Sequence, residues 1–124
     1  MPEQPCREAG ATTLRRAASA VADGVGSLCG LTLGPQDRLR GPADVAEVVA
    51  GVSVAVSLLP QLFGQLAAFL EVEYVRGAIA GGPAAGQRVR AISDALHRAG
   101  LDAEAMAAAL AAAGEEVTHL QADA

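Results

Sequence analysis

The chain has 124 residues, enough for one modest core and too few for two. It is 52% hydrophobic but only 2% aromatic, with 29 alanines, so any core must be built from Ala, Val and Leu, and helix is favoured. A formal charge of −5 excludes a nonspecific nucleic-acid binder, which needs clustered cations to displace counterions from phosphate.

Residues 1–10, with Pro2 and Pro5, read as a flexible tail. They carry Glu3 and Glu8 and no apolar run, so no secretory signal is expected there. From Ala11 to Cys29, the residues Leu14, Ala18, Val21, Val25 and Leu28 recur at spacings of 4, 3, 4, 3, which is a heptad seam. Gly24 and Gly26 weaken that helix by roughly 1 kcal/mol each relative to Ala. Residues 30–42 read as a connector, bounded by the breakers Gly34-Pro35 and Gly41-Pro42.

A new helix is expected near Asp44, which can cap the first turn with Glu47 three residues on. The stretch Val48 to Leu70 then carries no charge. Ser53, Ser57, Gln61 and Gln65, four apart, form a narrow polar ribbon along it. Pro60 removes a hydrogen bond and crowds the preceding turn, so the helix is expected to kink or break there. Gly81-Gly82-Pro83 is the strongest break in the chain. Beyond it Ala85, Val89, Ile92, Leu96 and Ala99 make another seam, and Gly100 is placed to end that helix. Asp102 would cap a last helix with the seam Ala103, Met106, Leu110, Ala113, Val117 and Leu120. The expected fold is therefore all-α. It is a bundle of four to five helices in a single domain over residues 11–122, with one long central helix kinked or broken near Pro60.

None of the reactive side chains stands in a catalytic pattern. His97 and His119 flank seam positions and have no thiol or carboxylate at metal-ligand spacing. Cys6 and Cys29 form no CxxC, and Cys29 is expected to act as a small buried hydrophobe. Arg88, Arg90 and Arg98 flank Asp94, so a solvated ion-pair ladder accounts for them. A helix–turn–helix reading of 91–110 fails because the second helix offers no Arg, Lys, Asn or Gln to base edges. Gly81-Gly82-Pro83 with Gly86 lacks the Lys-Ser/Thr ending of a phosphate loop. Neither a metal nor another cofactor is expected.

The run Leu59-Pro60-Gln61, then Leu66, Phe69, Leu70 and Glu71, then an Ala-rich heptad segment ending Thr118-His119-Leu120, resembles a group of short Ala-rich actinobacterial proteins with no established activity. Arg without Lys, with abundant Ala and Gly, agrees with coding from a GC-rich bacterial genome. The likeness covers the chain from about Asp44 onward and departs from the group at Phe69, where a tryptophan is usual, and in the apolar Val48 to Val56. It implies an all-helical architecture and no particular chemistry. The secreted helical hairpins of type VII systems are a poorer likeness, because the chain has no Trp and hence no WxG turn.

The expected function is therefore a non-enzymatic, cytoplasmic interaction or oligomerisation module, binding a second copy as a homodimer or another helical protein. Its expected interface is Val52, Val56, Leu59, Gln61, Phe63, Gln65, Leu66 and Leu70. Two alternatives compete with it. One is association with the inner membrane through a single span at 48–70, long enough for a hydrocarbon core of about 30 Å. The other is an enzyme site assembled from Glu71, Glu73, His97 and arginines.

Overall fold

The computed structural model describes residues 3–33 and 39–123. All regular structure among them is helical: α1 spans Glu3–Leu31, α2 spans Pro42–Val75 and α3 spans Gly82–Asp123. The all-α expectation holds, but there are three long helices in place of four or five. They divide into two units, residues 1–40 and residues 41–124.

In the first unit α1 begins at Glu3, inside the segment expected as a tail. Its seam is solvent-facing within its own unit: Leu14, Val21 and Val25 are exposed and Leu28 is half-buried. Cys29, expected to be buried, is exposed, because a lone helix has no packed face to cover it. The helix ends at Leu31, and the hydroxyl of the next residue, Thr32, donates to the carbonyls of Leu28 (2.8 Å) and Cys29 (3.3 Å). Within the connector expected over 30–42, residues 34–38, with the Gly34-Pro35 breaker, lie outside the described residues.

The second unit is an antiparallel pair of α2 and α3. The direction follows from partners whose numbers rise on α2 as they fall on α3: Val49 with Gly114, Pro60 with Gly100, Glu71 with Ser93, Tyr74 with Gly86. At 1.5 Å per residue the two helices run roughly 50 and 60 Å. α2 starts two residues before the expected cap. Gly41 is its N-cap and Pro42 occupies the first turn, where a missing N–H costs nothing. Asp44 then lies within the first turn, where its charge complements the helix dipole.

Of the kink or break expected at Pro60, the break does not occur: α2 is one long helix from Pro42 to Val75 with Pro60 inside it. A proline inside a helix costs about 3 kcal/mol, but α2 is held along its length by α3. The partner residue at this point is Gly100, whose lack of a side chain leaves room for the proline ring. A Cβ built on Gly100 would lie 3.5 Å from Pro60 Cα and 3.7 Å from its Cβ. The same contact corrects the expectation that Gly100 ends a helix. It is buried in the middle of α3, and its φ is not positive. The segments expected as two helices around it are one, and Asp102 is an exposed mid-helix residue in place of a cap.

The turn that does reverse the chain is 76–81. Gly77 sits at φ 80, its N–H donates to Tyr74 carbonyl at 3.0 Å, and Ala78 N–H donates to Glu73 carbonyl at 2.9 Å. These paired bonds make a Schellman ending, which satisfies the last carbonyls of α2. Gly81 and Gly82 also hold positive φ, as a break at that point requires.

Candidate functional site

The inner seam of the hairpin alternates in size. On α3 the positions 86, 93, 100, 107 and 114 are Gly, Ser, Gly, Ala and Gly, all buried or half-buried. Between them fall Val89, Leu96, Ala103, Leu110 and Val117, also covered. A small residue at every seventh place lets the α2 backbone approach closely. This seam differs from the expected one. Ile92, Met106 and Leu120 are 44%, 52% and 60% exposed, because the face rich in small residues was the one that could accept α2. On α2, Val56 and Ala67 are buried and Val49, Val52, Leu59, Phe63 and Leu70 are half-buried.

The closed end of the hairpin carries its polar contacts. Ser93, 5% exposed, donates from Oγ to the Glu71 carboxylate of the facing helix. His97 Nδ1 lies 2.8 Å from the Ser93 carbonyl oxygen, a bond that requires the proton on Nδ1. Tyr74 lies over Gly86, and its hydroxyl is 3.4 Å from the Gly82 carbonyl. Next to these groups is an open groove of about 500 Å³ lined in part by Glu71, Tyr74, Arg90, Ser93 and Asp94. A hydroxyl donating to a carboxylate is the first link of an activated nucleophile. Here, however, the hydroxyl is nearly covered and its bond joins the two helices. The pair therefore acts as a clasp that fixes their register. A second groove of about 350 Å³ on the other side is more apolar, with Leu70, Ile79 and Ile92 and a single cation, Arg88.

Among the described residues no group of three His, Cys, Asp or Glu side chains could hold a metal ion. The ladder expected of Arg90, Asp94 and Arg98 is not formed; all three are solvated. Glu73 pairs instead with Arg76 at 3.8 Å, an exposed contact worth little.

The residues expected at an interface fall into two groups. Val56 is buried and Val52, Leu59, Phe63 and Leu70 are half-buried within the hairpin, whereas Gln61, Gln65 and Leu66 face outward. Leu66 is the last of a row whose other members were not expected at the interface. Val54, Leu58, Leu62 and Leu66 stand four apart and are 63%, 58%, 45% and 47% exposed, with Phe69 at 62%. The signal was present: the row repeats the spacing of the ribbon Ser53, Ser57, Gln61 and Gln65, displaced by one residue. The ribbon is quiet by comparison, with the Ser57 hydroxyl turned onto the Val54 carbonyl at 2.7 Å.

No protein-family model, curated protein or solved structure matches this chain.

Proposed function

We propose that this protein is a non-enzymatic helical interaction module, cytoplasmic, whose working surface is the outward face of α2. The observation that carries this is the uncharged row Val54, Leu58, Leu62, Leu66 with Phe69, left exposed after α3 has covered the opposite face. Scattered exposed leucines need no explanation, but a continuous ridge along a helix does. The polar groups of the closed end support the same reading, since Ser93 and Glu71 are occupied with each other.

The membrane alternative has its own observation. α2 is long and apolar enough to cross a bilayer, with a mean hydropathy of 1.7 over its most apolar window, of which 6% is buried. The hairpin weighs against it. With α3 paired along α2, Asp94, Arg98, Asp102 and Glu104 would lie at the depth of the span, where each charge is costly. A spanning α2 would have to give up α3.

Fractionation after expression tests the proposal. Recovery as a helical protein in the detergent-free soluble fraction agrees with it. Recovery only in detergent would replace it with the membrane reading.

A further inference from the structure

We propose that the occupant of the outward face of α2 is the same face of a second copy of this chain, running antiparallel across a two-fold axis at Leu62. This rests on the reading of that face as the working surface and adds the identity of the partner and the geometry of the contact.

Three observations carry it. The first is symmetry within the row. Leu58, Leu62 and Leu66 are evenly spaced, so reversing the helix about Leu62 lays Leu58 on Leu66 and Leu66 on Leu58. A surface that maps onto itself under reversal is what an isologous contact requires. With Phe69 and Val72 the row makes a stripe along one side of the helix, so two copies packed lengthwise along it cross at a shallow angle of about 20°.

The second observation is charge. Nothing between Glu47 and Glu71 is ionised, so this face has no means of selecting a charged partner by ion pairing. Its occupant must itself present an uncharged ridge, and every copy of the chain brings one. Reversal about Leu62 sets Glu47, Glu71 and Glu73 opposite positions 77, 53 and 51 of the second copy, where this sequence has Gly, Ser and Gly, so no two carboxylates face each other. Gln61 and Gln65 then line the edge of the contact, where water can reach them.

The third observation is area. Val54, Leu58, Leu62, Leu66, Phe69 and Val72 are between 45% and 63% exposed. Together they leave apolar surface on the order of 500 Å², near the upper end of what soluble monomers carry. Matched on two copies this becomes about 1,000 Å², the lower bound for a specific interface.

Light scattering and cysteine cross-linking test the proposal on the full chain. The unmodified protein should give twice the 12.4 kDa chain mass at high micromolar concentration. In a background of Cys6→Ser and Cys29→Ser, Leu62→Cys should form an intermolecular disulfide under mild oxidation. Helices with axes 9–10 Å apart bring facing Cα atoms at the crossing to about 4.4–5.4 Å, within disulfide reach. Ala95→Cys, exposed on α3, should not cross-link. Leu62→Arg should halve the mass and leave helical content unchanged. A soluble monomer at high concentration overturns the second copy as partner while leaving the interaction reading intact. A dimer that Leu62→Cys fails to trap, or that Leu62→Arg fails to split, overturns the geometry. Recovery of the chain only in detergent overturns both readings together.

Discussion

α2 presents two apolar faces, and they differ in what lies opposite them. The inner one, Val49, Val56, Phe63 and Leu70, meets a helix whose matching positions are Gly114, Ala107, Gly100 and Ser93 in the register set by the Val49–Gly114 contact. The outer one, Val54, Leu58, Leu62 and Leu66, is left uncovered by α3. The two have similar residue types, so composition does not distinguish them. What distinguishes them is the partner: large side chains on α2 are covered only where α3 offers small ones. Close packing here comes from complementary size along two helices, and a hydrophobic stripe by itself does not produce it.

Substitutions on the two faces should therefore separate sharply. The largest effect is expected at Ala67, which is 1% exposed. Ala67→Glu places an unpaired charge against α3 and should cost about 3 kcal/mol or more, read as a fall in the denaturant midpoint. Next comes a pair at Gly100. Gly100→Leu overfills the approach to Pro60 and should destabilise by about 1–3 kcal/mol. Gly100→Ala puts its Cβ at ordinary contact distance and improves helix propensity, so the melting temperature should hold or rise, by no more than about 1 kcal/mol of stability. A loss with Ala as large as that with Leu would show that the helices are closer than their size pattern requires.

The Ser93 clasp should matter less. Ser93→Ala removes one hydrogen bond to a carboxylate that water can still reach, for a cost of about 0.5–1.5 kcal/mol in chemical denaturation. The smallest effect is expected on the outer face. Leu58→Gln, measured by thermal melting at concentrations too low for association, should stay within about 0.5 kcal/mol of the unmodified chain. A larger loss there would mean that the outer row supports the hairpin itself and is not a free surface.

Much of this architecture was legible in the sequence, but unevenly. The helical class followed from alanine content and 3–4 spacing; the break expected at Gly81-Gly82-Pro83 falls where α3 starts, but the turn opens five residues earlier, at Arg76. Helix count was not legible, for two identifiable reasons. Pro60 and Gly100 are each local signals to stop a helix, yet they lie opposite one another, and the ring of one fills the space the other leaves. Only the pairing reveals that, and pairing is not local. Apolar spacing places part of the α3 seam one residue early. Ile92, Ala99, Met106 and Ala113 each stand just before Ser93, Gly100, Ala107 and Gly114, the small residues that face the partner. The Ser93–Glu71 clasp could not be anticipated until the register was known. On α2 the uncharged stretch was recognised, but which of its rows would remain open depended on where α3 settled.

The antiparallel order of the hairpin also sets a timetable for synthesis. Tyr74 meets Gly86 almost as soon as both are made, but Val49 waits for Gly114. At roughly 5–20 residues per second that interval is about 3–13 s. Pairing thus closes like a zip from the 76–81 turn, and the first turns of α2 are the last to be covered. During those seconds the nascent chain displays a long uncharged helix with neither face occupied. A ribosome working near a membrane, or among many copies of itself on one message, would expose that helix to lipid or to a sister chain before α3 is complete.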